Sequence, residues 1–127
     1  MRPPAPPPMS DHEKRDAEEA FVQEAVRRVL DGDVEAFAVI VNTFRNLVAA
    51  DLARRLPPSD VQEVAQDAFV RAYRALHQFR GDAQFYTWLY RIAVNTAKKA
   101  LLELKRDPTV SEGALRSGDD GDETSWH

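Results

Sequence analysis

Three breaks divide this chain into four helical periods. Asp31-Gly32-Asp33, Pro57-Pro58 and Arg80-Gly81-Asp82 interrupt it, and Pro108 closes the last period. Between the breaks, apolar residues recur every three or four positions, which is the period of an amphipathic helix. A first helix is predicted over 11–30, with Ala17, Phe21, Ala25 or Val26, and Val29 near one face. Gly32 can take the left-handed conformation that follows a helix, and Asp33 can cap the next one. The second helix is predicted from about Val34 to Leu56, on Phe37, Ile40, Val41, Phe44, Val48 and Leu52. Ser59 or Asp60 would cap a third, over about 60–78, with Val61, Val64, Ala65, Ala68, Ala72 and Leu76 buried. The fourth runs from about Ala83 to Lys105, with Phe85, Leu89, Ile92, Ala93, Ala97, Leu101 and Leu104 as its apolar face.

No strand pattern and no internal repeat competes with these helices. The expected fold is all-α, a compact bundle of about four helices with short connections. Residues 1–10 are proline-rich and expected to be disordered. The helical domain would cover 11–106, and 107–127 reads as an acidic flexible linker or tail. The chain has 127 residues, enough for one domain with a modest core. No apolar run stands out as a membrane span, and the proline-rich start is not a signal peptide. With no cysteine there is neither a disulfide framework nor a thiolate metal site. A cytoplasmic, monomeric protein without membrane insertion is the expectation.

Net charge is −4, but its distribution says more than its sum. Residues 71–106 carry eight bases against two acids; residues 10–35 carry nine acids against four bases. Residues 107–127 carry six acids against one base. A basic segment therefore lies between two acidic ones.

On the fourth helix, Gln84, Trp88, Arg91, Asn95 and Lys98 are spaced by four, three, four and three residues, so they form one stripe. Tyr86 and Tyr90 add large rings beside the Arg80-Gly81-Asp82 turn. Exposed rings stack on unpaired bases, cations meet phosphates, and an asparagine amide can pair with a base edge. Half-buried core rings with lysines that merely solvate a helix would give a similar pattern. The third helix has Glu63, Gln66 and Asp67 on its outer side, with Phe69 and Tyr73 nearby, which suits either a protein-docking surface or an ordinary solvated face. Nothing points to catalysis, a cofactor or a metal. His12, His77 and His127 are scattered, there is no phosphate-binding glycine loop, and Asp119 to Glu123 matches a calcium loop only loosely.

Two segments carry a resemblance. They are Asp60 to Leu76 (DVQEVAQDAFVRAYRAL), and Phe79-Arg80-Gly81-Asp82 followed by Phe85 to Lys98 (FYTWLYRIAVNTAK). They closely resemble region 2 of the extracytoplasmic-function sigma factors of bacterial RNA polymerase, nearest to the envelope-stress branch. Asp31 to Phe37 matches that family's usual opening, and the likeness covers about residues 17–106. It implies a transcription initiation module, not an enzyme. Glu63, Gln66, Asp67 and Phe69 would dock on the clamp helices of the largest subunit of core polymerase. Arg80, Gly81, Asp82 and Gln84, with Phe85 beside them, would cradle a base flipped out of the −10 element on the non-template strand. Tyr86 and Trp88 would sit at the fork, Asn95, Lys98 and Lys99 would read or grip the upstream part, and Arg71, Arg74 and Arg91 would meet phosphates. Lys99 departs from the asparagine often found there in close relatives, which bears on base preference. An anti-sigma factor is a further implied partner, and a regulatory domain held by one is the alternative function. Family members continue into a second helical domain that reads the −35 element; this chain is expected to lack it and to recognise promoters weakly alone.

Overall fold

The computed structural model describes residues 2–106, so the acidic tail and the Asp119–Glu123 segment lie outside the described residues. Residues 2–9 have no regular secondary structure and are exposed. Four α-helices follow, α1 (Asp11–Leu30), α2 (Phe37–Ala53), α3 (Pro58–Ala75) and α4 (Phe85–Arg106). Single 3₁₀ turns at Val34–Ala36 and Leu76–Gln78 lie between them. The described residues contain no strand.

Each boundary has a local cause. Ser10 and Glu13 form a reciprocal capping box at the start of α1, with both hydrogen bonds at 3.1 Å. The Ser10 backbone N–H, and then its hydroxyl, hold the Glu13 carboxyl below its usual pKa. Gly32 ends α1 at φ +112°. Its N–H donates to Val29 O at 3.0 Å, and that of Asp33 to Arg28 O at 2.9 Å. This is the Schellman arrangement, and it uses the left-handed freedom expected of Gly32.

Two expected caps are replaced. Asp33 makes no side-chain cap; its carboxylate pairs with Arg28 at 2.9 Å, and α2 opens through the 3₁₀ turn instead. At α3, neither Ser59 nor Asp60 caps. Pro57 occupies that position and Pro58 the first helical one, where the missing N–H leaves no bond unmade. α2 ends at Ala53, and the prolines disfavour helical backbone at Leu56, just before Pro57.

The core is one cluster to which all four helices contribute. α1 supplies Val22, Ala25, Val26 and Val29; α2 supplies Ile40, Phe44, Val48 and Leu52. α3 supplies Val64, Ala68, Phe69 and Ala72, and α4 supplies Phe85, Leu89, Ile92, Ala93 and Ala97. α3 packs against both α2 and α4. By length and composition Val34–Ala53, with mean hydropathy 1.3, is apolar enough to cross a membrane, as core helices often are. Its apolar stripe is instead the centre of the bundle, where Ile40, Val48 and Leu52 are fully buried.

Three expected core residues, Ala17, Phe21 and Leu104, point outward. Phe21 is 59% exposed, because its neighbour Val22, about 100° around the helix, takes the inward position. Leu104 is 43% exposed, as α4 continues past the last residues that contact the bundle.

Candidate nucleic-acid interface

The turn before α4 is built around an aromatic cluster. Phe85 is fully buried. Phe79 meets it edge-on with ring centroids 5.1 Å apart, and Trp88 lies 5.4 Å from Phe85 and 5.6 Å from Phe79. Phe44 of α2 stacks on the other side of Phe85 at 5.8 Å. These contacts fix where the chain leaves the 3₁₀ turn and where α4 begins. Between those anchors Arg80, Gly81, Asp82, Ala83 and Gln84 are all exposed. Gly81 has φ +81°. A β-carbon there would meet nothing closer than Gln23 Oε1 at 3.9 Å, so backbone conformation and not space requires the glycine.

From this loop the stripe runs along α4. Gln84, Arg91 and Lys98 are exposed, while Trp88 and Asn95 are half-buried. The expected continuous face is therefore present, with a ring and an amide recessed among cations. Trp88 combines both readings of its sequence position: it packs on Phe79 and Phe85 and keeps part of its surface open.

The tyrosines lie elsewhere. Tyr86 is about 200° around the helix from Trp88. Its ring stacks on Phe44 at 5.3 Å and its hydroxyl donates to Asp51 of α2. Burial, and after it this hydrogen bond, pushes the Tyr86 hydroxyl well above the ordinary tyrosine pKa. Tyr90 sits 6.2 Å from Tyr86 and accepts from Arg55 Nη2 at 2.8 Å. Tyr86 and Trp88, grouped together by sequence, thus occupy opposite flanks of α4. Asp51 of α2 and Arg55 in the turn after it belong to this second flank, and no periodicity in the sequence signals them.

Three candidate residues are buried in the fold. Phe85 is a core ring and presents no face to a ligand in this conformation. Phe69 is 7% exposed, because position 69 follows Ala68 toward the core. Arg71 is 5% exposed, with Nε 3.5 Å from Asp67 Oδ2, and is not available to phosphates in this arrangement. Arg74 is exposed and Lys99 half-buried.

On α3, Glu63, Gln66, Val70 and Tyr73 repeat at three and four residues, His77 continues the spacing into the following 3₁₀ turn, and all five are exposed. Val70 and Tyr73 are 42% and 43% exposed, and Tyr73 is edge-on to Phe37 at 5.2 Å. Tyr73 lies on the outer face as expected, and Val70 supplies there the apolar part that sequence reasoning gave to Phe69. Among the described residues, no cluster of three His, Asp or Glu side chains could hold a metal ion.

A helical bundle with this turn and this α4 stripe has a known counterpart. The chain belongs to the sigma-70 region 2 family, whose model matches residues 40–107. Among individual proteins it is 49% identical over 96 residues to the ECF RNA polymerase sigma-E factor of Escherichia coli (strain K12). That match covers 76% of this chain and 50% of the relative, so the chain spans about half the length of the curated relatives it matches. The fold is similar to an engineered region 2 of sigmaE solved in complex with GTAAAA, at 45% identity and a TM-score of 0.65. The likeness covers 69% of this chain and 93% of that one. It is also similar to CnrH in complex with the cytosolic domain of CnrY, at 30% identity and a TM-score of 0.51, over 78% of this chain and 70% of that one.

Proposed function

We propose that this chain is a transcription initiation module of the extracytoplasmic-function type. It docks on core RNA polymerase and recognises and melts the promoter −10 element through the non-template strand. The observation that carries this function is the exposed Arg80–Gln84 loop continuing into the Gln84, Trp88, Arg91, Asn95 and Lys98 stripe. It supports a division of labour along one surface. The loop receives an unpaired base, Trp88 offers a ring for stacking, Asn95 offers an amide to a base edge, and Arg74, Arg80, Arg91 and Lys98 meet phosphates. The solved likeness to a sigmaE region 2 bound to GTAAAA adds to that support. Tyr86 serves the fork indirectly, by fixing α4 on α2.

Such a module works by binding and not as an enzyme. Stacking contributes roughly 1–3 kcal/mol per base, which offsets the few kcal/mol of unpairing and unstacking. The α3 stripe, with Glu63, Gln66, Val70 and Tyr73, is the surface for the polymerase clamp helices. Asp67 contributes there while also holding the buried Arg71. The place of action is the cytoplasm. A second function, capture by an anti-sigma factor, is favoured by the likeness to CnrH bound to a cytosolic domain of CnrY.

Fluorescence anisotropy with labelled GTAAAA and a scrambled strand, with and without core polymerase, tests the proposal. Preference for GTAAAA that strengthens with core enzyme is the expected result. Equal affinity for both strands in both settings would leave the anti-sigma function standing alone.

A further inference from the structure

The recognition loop is tied to a helix that the stripe does not include. The Phe85 N–H donates to Glu19 Oε2 of α1 at 2.9 Å, across 66 positions of sequence. The same oxygen accepts Nε2 of Gln23 at 2.7 Å. Gln23 Oε1 in turn lies 3.9 Å from where a β-carbon on Gly81 would stand. One carboxylate of α1, itself bonded by an amide on the next turn, therefore reaches the beginning of α4, and that amide lies near the glycine of the loop. Glu19 is half-buried, whereas Asp11, Glu13, Asp16, Glu18 and Glu24 of the same helix are exposed. A carboxylate on the first amide of a helix satisfies an orphan donor and faces the positive end of the helix dipole.

A negative charge behind a surface that meets phosphates opposes nucleic-acid affinity. Its position makes sense if it holds geometry. We propose that Glu19 is a positioning residue for base recognition. It fixes the start of α4, with Gln23 beside it near the Gly81 turn, so that the loop from Arg80 to Gln84 keeps its register with Trp88 and Asn95. Its contribution is to discrimination between strands more than to total affinity. This role rests on the −10 reading proposed above.

The test uses the full chain and two single strands, GTAAAA and a scrambled permutation. Glu19→Ala should weaken GTAAAA binding about fivefold, the scale of a lost helix cap. Affinity for the scrambled strand should stay level or rise, because a negative charge has been removed. Glu19→Gln, which keeps an oxygen for the Phe85 N–H, should recover most of the discrimination. A general structural role would weaken both strands equally, and that result, or an unchanged ratio, overturns the proposal. If Glu19→Ala fails to fold, Gln23→Ala is read against the same two strands, with a smaller loss of discrimination expected and an unchanged ratio again counting against the role. Amide hydrogen exchange at Phe85 and Tyr86, measured without DNA, separates the tie from the function. Faster exchange in the Glu19 variants is expected, and unchanged exchange rejects the tie. A wild-type chain that binds both strands equally rejects the −10 function itself, while the exchange rates still decide whether Glu19 holds the loop.

Discussion

At the scale of single residues, polar contacts between helices set how α4 sits. Tyr86 joins α4 to α2 through Asp51, which also pairs with Arg54. Tyr86→Phe keeps the ring on Phe44 and removes only the hydroxyl, so it should cost about 1 kcal/mol. Thermal denaturation would read that as a drop of about 5 °C. The pH dependence has a definite sign. The folded state favours the neutral hydroxyl, because burial raises its pKa above the unfolded value. The stabilisation is therefore complete below pH ~10 and is lost as pH rises beyond it. Denaturant titrations should show a constant gap between wild type and Tyr86→Phe up to pH ~9, narrowing above ~10. A gap that widens with alkali would contradict the assignment.

At the scale of elements, α4 has a core side and a working side, and substitutions on each should separate. Leu89 is fully buried, and Leu89→Ala should destabilise by about 2–5 kcal/mol and weaken every function together. Trp88 is half-buried, so Trp88→Ala should cost less than the roughly 3–5 kcal/mol of a fully buried ring. Circular dichroism should show it folded while GTAAAA affinity falls. An unfolded Trp88→Ala protein would make Trp88 a core residue and remove it from the stripe. On α3, Glu63→Ala with Gln66→Ala should weaken binding to core polymerase and spare single-strand affinity. Asp67 is a poorer choice for that test, since its carboxylate is also paired with the buried Arg71.

The helices themselves were legible, because apolar period and Gly/Pro punctuation are local signals. The α4 stripe was legible for the same reason. What the sequence did not reveal is contact between elements. Phe69 and Arg71 fit the outer face of α3 by type, and tertiary packing turned them inward. Phe85, read as both core and contact, is core. Glu19 and Asp51 are ordinary charges on their own helices, Arg55 lies in the turn after α2, and only the bundle brings them to Phe85, Tyr86 and Tyr90. The Ser10–Glu13 capping box, by contrast, was present in the sequence as Ser-x-x-Glu.

For the whole molecule, charge separation decides behaviour. The net charge of −4 opposes nucleic acid in general, while residues 71–106 carry eight bases against two acids. Arg80, Arg91 and Lys98 are exposed in the loop and along the stripe, and Arg74 is exposed on α3. With about 0.7 counterions released per phosphate on single strands, the slope of log affinity against log salt should lie near −3. Arg91→Ala should lower its magnitude by about 0.7. A slope near zero would mean that the basic segment does not meet phosphates.

The most direct test of the central claim is a map of backbone amide shifts on addition of the GTAAAA strand. Shifts should concentrate at Arg80 to Gln84 and at Trp88, Arg91, Asn95 and Lys98, with the α3 stripe silent and the scrambled strand giving a weaker pattern. Equal patterns from both strands, or shifts centred away from the loop and the stripe, would contradict the account.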